Sequence, residues 1–497
     1  MIDAYAALLA HTRETHLLAT TSALLAWDQE TGMPPSAGEV RAQQLALLAR
    51  LAHERATDPR VADWLAACEA SPLGDPDRAA NVRELRRDHD RATRLPPSLV
   101  EELASVESRA QQAWAAARAA SDFAAFLPWL ERIVALQQQK ADCLRRDDQG
   151  RWDALADIYE PGMRAADLRQ LFAPLRQRLV ALRERLTAGT PPDTSFSRVP
   201  IDEARQEAFV RAVVTAMGFD FTRGRIDRSA HPFCTTTGAD VRLTTRFRGD
   251  DVLDALGSTM HEAGHGLYEQ GLDPAALGTP LGEAVSLGIH ESQSRLWENH
   301  VGRSRAFWQW CWPLAQQHLG SACDGYDADA VFAAGNLVTP SLIRVEADEA
   351  TYDLHVMVRF ELEQELLDGT LPVAELPLRW NAFYRDLLGV EVPDDRRGCL
   401  QDVHWSCGLF GYFPTYTLGN LFAAQFFAAA DRALGGLGSL LRRGEFGPLR
   451  EWLREHVHRH GRRYSPDELC RRATGAPLSA EPFLAHLETR LPAVYGV

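Results

Sequence analysis

Two histidines four residues apart, His261 and His265, enclose a glutamate in the segment His261-Glu-Ala-Gly-His265. The surrounding stretch, residues 251–270, has acidic residues in its first turn and Gly271 directly after it, which predicts a helix. Histidines at this spacing project from one face of a helix and direct ring nitrogens to one tetrahedral metal ion, while Glu262 lies beside the open position. The pattern therefore predicts a hydrolytic zinc site with both histidines as ligands.

The same motif also arises by chance, and a chance occurrence would be an ordinary solvated helix face. Gly264 and Gly266 argue against that interpretation, because a glycine inside a helix costs about 1 kcal/mol relative to alanine. Such a cost indicates a structural reason, such as the close approach of another element. We therefore expect a closely packed metal-binding helix.

A catalytic zinc ion usually has a third protein ligand and an open position for water. No HxxGxxH extension follows His265, so a third histidine supplied by a tight turn is disfavoured. Residues 282–300 form a second predicted helix that offers Glu283, Glu291 and Glu298, spaced eight and seven residues apart on roughly one face. Spacing alone leaves all three glutamates open as the third ligand.

The elements that position these side chains are predicted to be mostly helical. Residues 1 to about 185 are rich in Ala, Leu, Arg and Glu, with apolar residues recurring every three or four positions. The polar stretch Gly189–Pro200 predicts a surface loop, so we expect an N-terminal helical lobe over residues 1–190 and a catalytic lobe over residues 191–497. Val241–Phe247 alternates in period two and predicts a strand of a small sheet. Helical patterning then returns and continues to the end of the chain.

Charge and cysteine content exclude several classes of function. The formal net charge is -15, so the basic face that nucleic-acid binding needs is not expected. Eight cysteines are scattered without a CxxC pair, which fits reduced thiols in a cytoplasmic protein. The N-terminal residues predict an amphipathic helix rather than a signal peptide, and no apolar run reaches the length of a membrane span. We expect a cytoplasmic protein without nucleic-acid or membrane partners.

Several motifs resemble, in their order along the chain, those of the carboxypeptidase Taq family of metallocarboxypeptidases. They are Trp27-Asp-Gln-Glu-Thr-Gly-Met-Pro34, Asp240-Val-Arg-Leu-Thr244, His261-Glu-Ala-Gly-His265, His290-Glu-Ser-Gln293, Ile343-Arg-Val-Glu-Ala-Asp348 and Gly398-Cys-Leu-Gln-Asp-Val-His-Trp405. The resemblance covers nearly the whole chain and is weakest after about residue 430. It implies a mainly α-helical, two-lobed HExxH peptidase fold with a deep groove, similar to neurolysin-like peptidases, and commonly a homodimer. It also implies that Glu291 is the third zinc ligand; the sequence leaves open whether zinc or cobalt is used in the cell.

The proposed chemistry needs a base and a donor for the oxyanion. Glu262 is placed to accept the proton of a zinc-activated water and to deliver it to the leaving amine. The segment Gly411–Tyr416 follows His404 at a spacing that resembles the His and Tyr donors of neurolysin-like enzymes. Tyr416 is the first choice for the oxyanion donor and Tyr412 the second, with His404 as a further active-site residue. Each of these three rings could instead be an ordinary core residue.

A carboxypeptidase must also bind a free terminal carboxylate, for which the two parallel hydrogen bonds of an arginine are well suited. Arg344 and Arg242, both from the motifs above, are the candidates. Each could instead form an internal ion pair with a neighbour such as Asp348 or Asp240. The strand that carries Arg242 could equally present backbone groups to an extended peptide.

The sequence therefore predicts a zinc metallocarboxypeptidase that releases C-terminal amino acids from peptides with a free C-terminus. The nearest alternative is a neurolysin-like zinc endopeptidase or oligopeptidase, which shares the zinc chemistry and differs in how the groove ends. An alternative from another class is a helical scaffold with a vestigial or structural zinc site. That hypothesis leaves Glu262 and the accompanying motifs unexplained.

Overall fold

The structure, a computed structural model, describes residues 3–70 and 74–497, and most of them are helical. The helices, in chain order, are α1 (Ala4–Thr31), α2 (Gly38–Ala56), α3 (Pro59–Glu69), α4 (Pro76–Arg94), α5 (Pro97–Ala120), α6 (Phe123–Leu144), α7 (Arg151–Ala156), α8 (Ala165–Thr187), α9 (Glu203–Met217), α10 (Val252–Gly271), α11 (Leu287–Arg295), α12 (Arg305–Leu319), α13 (Ala328–Ala334), α14 (Tyr352–Asp368), α15 (Leu376–Phe383), α16 (Pro414–Ala433), α17 (Leu437–Arg442), α18 (Gly447–His456), α19 (Pro466–Thr474) and α20 (Glu481–Tyr495). The predicted mainly α fold with a small sheet is confirmed. None of the described helices combines the length and the hydropathy that a membrane crossing requires.

Contacts group the chain into two compact units, each assembled from three stretches of sequence. The first contains Met1–Thr93, Asp193–Gly335 and Phe422–Leu478, and the second contains Arg94–Pro192, Asn336–Leu421 and Ser479–Val497. The first unit therefore includes α10 and α11, and the second includes α14. One junction between units, at residues 192–193, falls close to the predicted boundary at residue 190. The division into lobes 1–190 and 191–497 stays a prediction.

A small sheet in the first unit lies against α10. Its strands are β1 (Gly224–Arg228), β2 (Cys234–Thr236) and β3 (Val241–Thr245), in the spatial order β1-β3-β2. β3 pairs parallel with β1 and antiparallel with β2, so the predicted strand is the central one. Because the backbone of a central strand is paired on both sides, the expectation that the strand of Arg242 presents backbone groups to a peptide is wrong. The outer strands of the sheet are β1 and β2.

Helix α10 meets α11 at a glycine. A Cβ added at Gly264 would lie 2.5 Å from the carbonyl oxygen of Gln293 and 2.6 Å from the Cα of Ser294. A Cβ at Gly266, on the other side of α10, would lie 2.8 Å from the ring of Phe219. Both glycines are therefore explained by the close approach of another element, as the sequence predicts.

Gly271, which the sequence marks as the end of α10, is the last residue of that helix. A Cβ there would lie 2.3 Å from Nδ1 of His458, a fully buried histidine far along the chain. The ring of His458 also packs on Tyr268, with ring centroids 5.0 Å apart. Gly271 is thus required by packing against His458, and α10 ends in an ordinary extended residue, Leu272.

We expect Gly264→Ala to lower the free energy of unfolding by about 1–3 kcal/mol, because the added methyl group meets backbone atoms that cannot rotate away. Gly257→Ala is the matched control, since Gly257 lies on the same helix and a Cβ there meets nothing within 4 Å. The control should leave stability unchanged or raise it by up to about 1 kcal/mol. Denaturant unfolding followed by circular dichroism measures both variants, and equal effects would contradict the assigned contact.

Candidate metal centre

Three side chains of the first unit form a cluster of metal-binding type. Nε2 of His261 lies 3.7 Å and Nε2 of His265 lies 3.5 Å from the same carboxylate oxygen, Oε2 of Glu291. The three donor atoms all lie within 4.8 Å of one another. A tetrahedral zinc ion with bonds of 2.0–2.1 Å holds its ligand atoms about 3.3 Å apart. Two imidazole nitrogens and one carboxylate at these distances fit an ion of that size.

The other ring nitrogens fix how the imidazoles are oriented. Nδ1 of His265 lies 3.1 Å from the carbonyl oxygen of His290, and a carbonyl only accepts hydrogen bonds, so this nitrogen carries the proton. Nδ1 of His261 donates in the same way to Oε2 of Glu298 at 2.9 Å. In the neutral form of each ring the Nε2 lone pair is therefore the one that faces the cluster, as metal ligation requires.

The three glutamates that spacing left open have different partners. Glu291 reaches both histidines, Glu298 reaches the outer nitrogen of His261, and Glu283 instead forms an ion pair with Arg462 at 3.1 Å. Glu298 lies on a π-helical segment, Leu296–Gly302, that directly continues α11. Only Glu291 is therefore positioned as a donor with the two histidines.

Arg295 holds the two buried carboxylates of the cluster in their charged forms. Its Nε donates to Oε1 of Glu291 at 2.7 Å, and its Nη1 lies 3.4 Å from Oε2 of Glu298. Burial alone would raise the pKa of both acids, but Arg295, together with the neighbouring His261, holds the pKa of Glu291 well below its ordinary value. The same influences lower the pKa of Glu298 to about 2. Burial lowers the pKa of His265 to about 3, so that ring is neutral.

Glu262 has a different environment from the other acids. It is 7% exposed, and no hydrogen bond or ion pair reaches its carboxylate from residues 3–70 or 74–497. Burial raises its pKa to about 7, although the neighbouring His261 opposes the shift. A buried carboxylate without a fixed partner can take up and release a proton.

A further buried histidine, which the sequence analysis missed, supports the motif that carries Glu291. Nε2 of His458 donates to Oε1 of Gln293 at 2.8 Å, and burial lowers the pKa of His458 to about 3. His458 and Gln293 lie far apart in the sequence, so no local pattern indicates this hydrogen bond. The one local signal was Gly271, whose missing side chain makes room for the ring.

In the second unit, Arg344 is buried in an ion pair. Its Nε and Nη2 donate to Oδ1 of Asp402 at 3.1 and 2.9 Å, and its Nη1 donates to the hydroxyl of Tyr352 at 2.9 Å. Asp402 also accepts a hydrogen bond from Arg359. Burial alone would raise the pKa of Asp402, but the charges of the two guanidinium groups hold that pKa far below its ordinary value. The alternative partner proposed for Arg344 was wrong, because Asp348 instead accepts backbone N–H groups, among them that of Ala350.

The ion pair leaves Arg344 with hydrogen-bonding capacity. A guanidinium has five N–H groups, of which Asp402 and Tyr352 take three. One N–H on each terminal nitrogen remains, so the guanidinium can still donate to a second acceptor.

Arg242, in the first unit, forms an ion pair with Asp240 and packs on the ring of Trp27. Its Nε and Nη2 donate to the carboxylate of Asp240 at 3.0 and 2.8 Å, the partner that the sequence analysis gave as the alternative. Its guanidinium also lies 4.2 Å from the ring centroid of Trp27.

His404, Tyr412 and Tyr416 lie together in the second unit. Nε2 of His404 is 3.3 Å from the hydroxyl of Tyr416, and its ring centroid is 5.5 Å from that of Tyr412. Burial, assisted by the charge of Arg344, lowers the pKa of His404 to about 4, so the ring is neutral. The Tyr416 ring lies 5.0 Å from the guanidinium of Arg344. The second unit thus brings together four of the predicted site residues.

Comparison with known proteins identifies relatives over the whole chain. The family model described as Carboxypeptidase Taq (M32) metallopeptidase matches residues 7–491. Thermostable carboxypeptidase 1 of Thermus thermophilus is 49% identical, and the match covers 99% of each chain. Carboxypeptidase 1 of Bacillus subtilis is 36% identical over 95% of each chain. The crystal structure of an M32 carboxypeptidase from Deinococcus radiodurans R1 superimposes with a TM-score of 0.97 at 44% identity, covering 99% of this chain and 100% of that one.

We expect metal binding to require Glu291 and not Glu283. Glu291→Gln should lose bound zinc on dialysis, because it removes the charged donor oxygen, while Glu283→Gln should keep full metal content. Glu298→Gln should lower zinc affinity about 10–100-fold, since Glu298 only orients His261. Elemental analysis and competition with a chelator measure content and affinity. Full zinc content in Glu291→Gln, with loss in Glu283→Gln, would contradict the ligand assignment.

Proposed function

This chain belongs to the Carboxypeptidase Taq (M32) metallopeptidase family, and we propose that its metal is zinc. Membership of the family makes the chain a peptide hydrolase of the metallocarboxypeptidase class that uses a divalent metal. We propose His261, His265 and Glu291 as its ligands. The observation that carries this proposal is the free Nε2 of each histidine beside one oxygen of Glu291. Because the family is one of peptide hydrolases, the hypothesis of a non-catalytic helical scaffold is excluded.

The donor set favours zinc over the hard cations. Magnesium and calcium prefer oxygen ligands, whereas two neutral imidazoles with one carboxylate are the ligand type of catalytic zinc. Cobalt accepts the same donors, so it stays an alternative in the cell. When bound, zinc would polarise the scissile carbonyl and lower the pKa of a coordinated water towards about 7.

Glu262 is proposed as the general base. Its carboxylate is buried and uncommitted, and its pKa is raised to about 7 by burial, so it can accept a proton from water and deliver it to the leaving amine nitrogen. His261, His265 and Glu291 are instead proposed as metal ligands, each with a hydrogen-bond partner that holds its side chain in place.

We expect Glu262→Gln to bind zinc normally and to lower kcat about 10²–10⁴-fold, because the amide keeps the shape of the side chain and cannot accept the proton. Metal content and steady-state kinetics on one peptide measure the two properties separately. Turnover near that of the natural protein, in a fully metal-loaded variant, would contradict the assignment.

Tyr416, with Tyr412 as second choice, is proposed as the donor to the oxyanion, and His404 as its neighbour in the site. The support is the 3.3 Å contact between Nε2 of His404 and the Tyr416 hydroxyl, which places a polar group of the tyrosine beside a neutral imidazole. A donor fixed in advance stabilises developing charge without reorganisation.

Arg344 is proposed to bind the terminal carboxylate of the substrate, in preference to Arg242. Both arginines are ion-paired, but Arg344 retains one N–H on each terminal nitrogen, and Asp402 holds its guanidinium in place. Substrates are proposed to be peptides with a free C-terminus.

Mass spectrometry of matched free-acid and amidated peptides tests this function. We expect the free acid to be shortened one residue at a time from its C-terminus, and a chelator to stop the reaction. Amidation should slow cleavage by about tenfold or more, because the terminal amide offers the guanidinium no charged oxygens and so loses the charge-assisted hydrogen bonds. Arg344→Ala should narrow the gap between the two peptides, and Asp402 keeps Arg359 as a partner in that variant. Internal cuts, or equal cleavage of both peptides, would support the endopeptidase alternative.

Two further properties are proposed on narrower grounds. All eight cysteines are free, which supports a reducing, cytoplasmic location. A homodimer is proposed from the family resemblance.

A further inference from the structure

A cavity of about 480 Å³ lies within the first unit, beside the candidate metal centre. Four residues of one face of α1 line it, together with the turn after β2 and the end of α10. Glu269 and Glu283 are among its lining residues. Neither the metal ligands nor the proposed base uses this space.

The cavity is connected to the metal centre through Glu269. Oε1 of Glu269 accepts a hydrogen bond from Nε2 of His290 at 2.9 Å, and the His290 ring stacks on that of His265 at 4.4 Å. Glu269 follows His265 by four residues on α10, a rise of about 6 Å. That distance corresponds to roughly two residues of an extended peptide.

The outer edge of β2 leads towards the cavity. In the antiparallel pair of β2 and β3, Thr235 faces Arg242 and the backbone of Thr237 donates to Asp240, so the backbone groups of Cys234 and Thr236 point to the outer edge. Strand β2 packs against α10, the helix that carries Glu262 and Glu269. Thr236 itself lines the cavity. An extended peptide on this edge would run along α10, which carries the proposed base, to the cavity.

The charges around the cavity favour a cation. Glu269, Asp273 and Glu283 line it, and the C-terminal end of α10 adds a partial negative charge. Arg462 pairs with Glu283 at 3.1 Å, but the same guanidinium also pairs with Glu84 and Asp88, so one positive charge faces three carboxylates. Of the basic residues that line it, Arg223 is already paired with Asp220 at 3.2 Å, and His16 is the other. One carboxylate oxygen of Glu269 remains beyond its bond to His290.

We propose that this cavity is a specificity pocket for a basic side chain of the substrate, lysine or arginine, upstream of the scissile bond. The upstream side follows from the activity, because a carboxypeptidase leaves only one residue downstream of the bond that it cleaves. This inference rests on the proposed function of the metal centre and adds the substrate class that this part of the chain selects.

Matched peptides test the pocket. N-acetylated peptides with a free C-terminus carry lysine, norleucine or glutamate at the first, second or third residue upstream of the bond. At one of these positions kcat/KM should be about tenfold higher for lysine than for norleucine at low salt, and lowest for glutamate. The preference should shrink as salt is raised.

Two lysine substitutions on α1 provide a matched pair. Ala19 lines the cavity, whereas Ala26 is exposed on the same helix and does not line it. Ala19→Lys should reduce the preference for lysine over norleucine to less than about twofold, while Ala26→Lys should leave it unchanged. Glu283→Gln should reduce it in part, with cleavage of the norleucine peptide preserved.

The outcomes separate this inference from the proposed function. Single-residue release from all peptides at equal rates would overturn the pocket and leave the carboxypeptidase mechanism intact. A preference that both lysine variants reduce equally would also overturn it, because the effect would then be one of general charge. Internal cleavage, or cleavage that a chelator does not stop, would overturn the proposed function and the pocket with it.

Discussion

Helix α10 meets helix α11 so closely at Gly264 that one added methyl group would overlap the backbone of Gln293 and Ser294. This contact sets the distance between the two helices at the point where their donor atoms meet. Glu291 lies within one turn of the contact on α11, and His261 and His265 flank it on α10. The carboxylate of Glu291 reaches both imidazoles because Gly264, which has no side chain, lets the backbones of the two helices approach closely.

Three buried carboxylates around His261 have distinct environments, and these environments give them distinct chemistry. Glu291 and Glu298 share Arg295, which holds the pKa of each below its ordinary value, so both stay charged acceptors. Glu262 has no such partner, and burial raises its pKa to about 7. The distinction between the two charged acceptors and the proposed base therefore follows from arginine partners that reach Glu291 and Glu298 and leave out Glu262.

Local sequence patterns predicted the features that depend on local geometry. The spacing of His261 and His265 predicted their shared helix face, and the cost of Gly264 predicted a close neighbour. Patterns could not choose among the three glutamates, because Glu298 lies on a π-helical segment outside the 3.6-residue period. They also could not show that Gly271 faces His458, a contact made across a long separation in sequence.

The same limit explains the wrong partner for Arg344. The sequence suggested Asp348, four residues away, but that acid accepts nearby backbone N–H groups instead. Asp402, from another motif, binds the guanidinium through Nε and Nη2. The sequence suggests an internal ion pair with a neighbour as the alternative to substrate binding, yet a guanidinium paired with Asp402 still has N–H groups for a second acceptor. Asp402 and Tyr352 fix the guanidinium and leave one N–H on each terminal nitrogen, so a carboxylate would meet two donors whose orientation is already set.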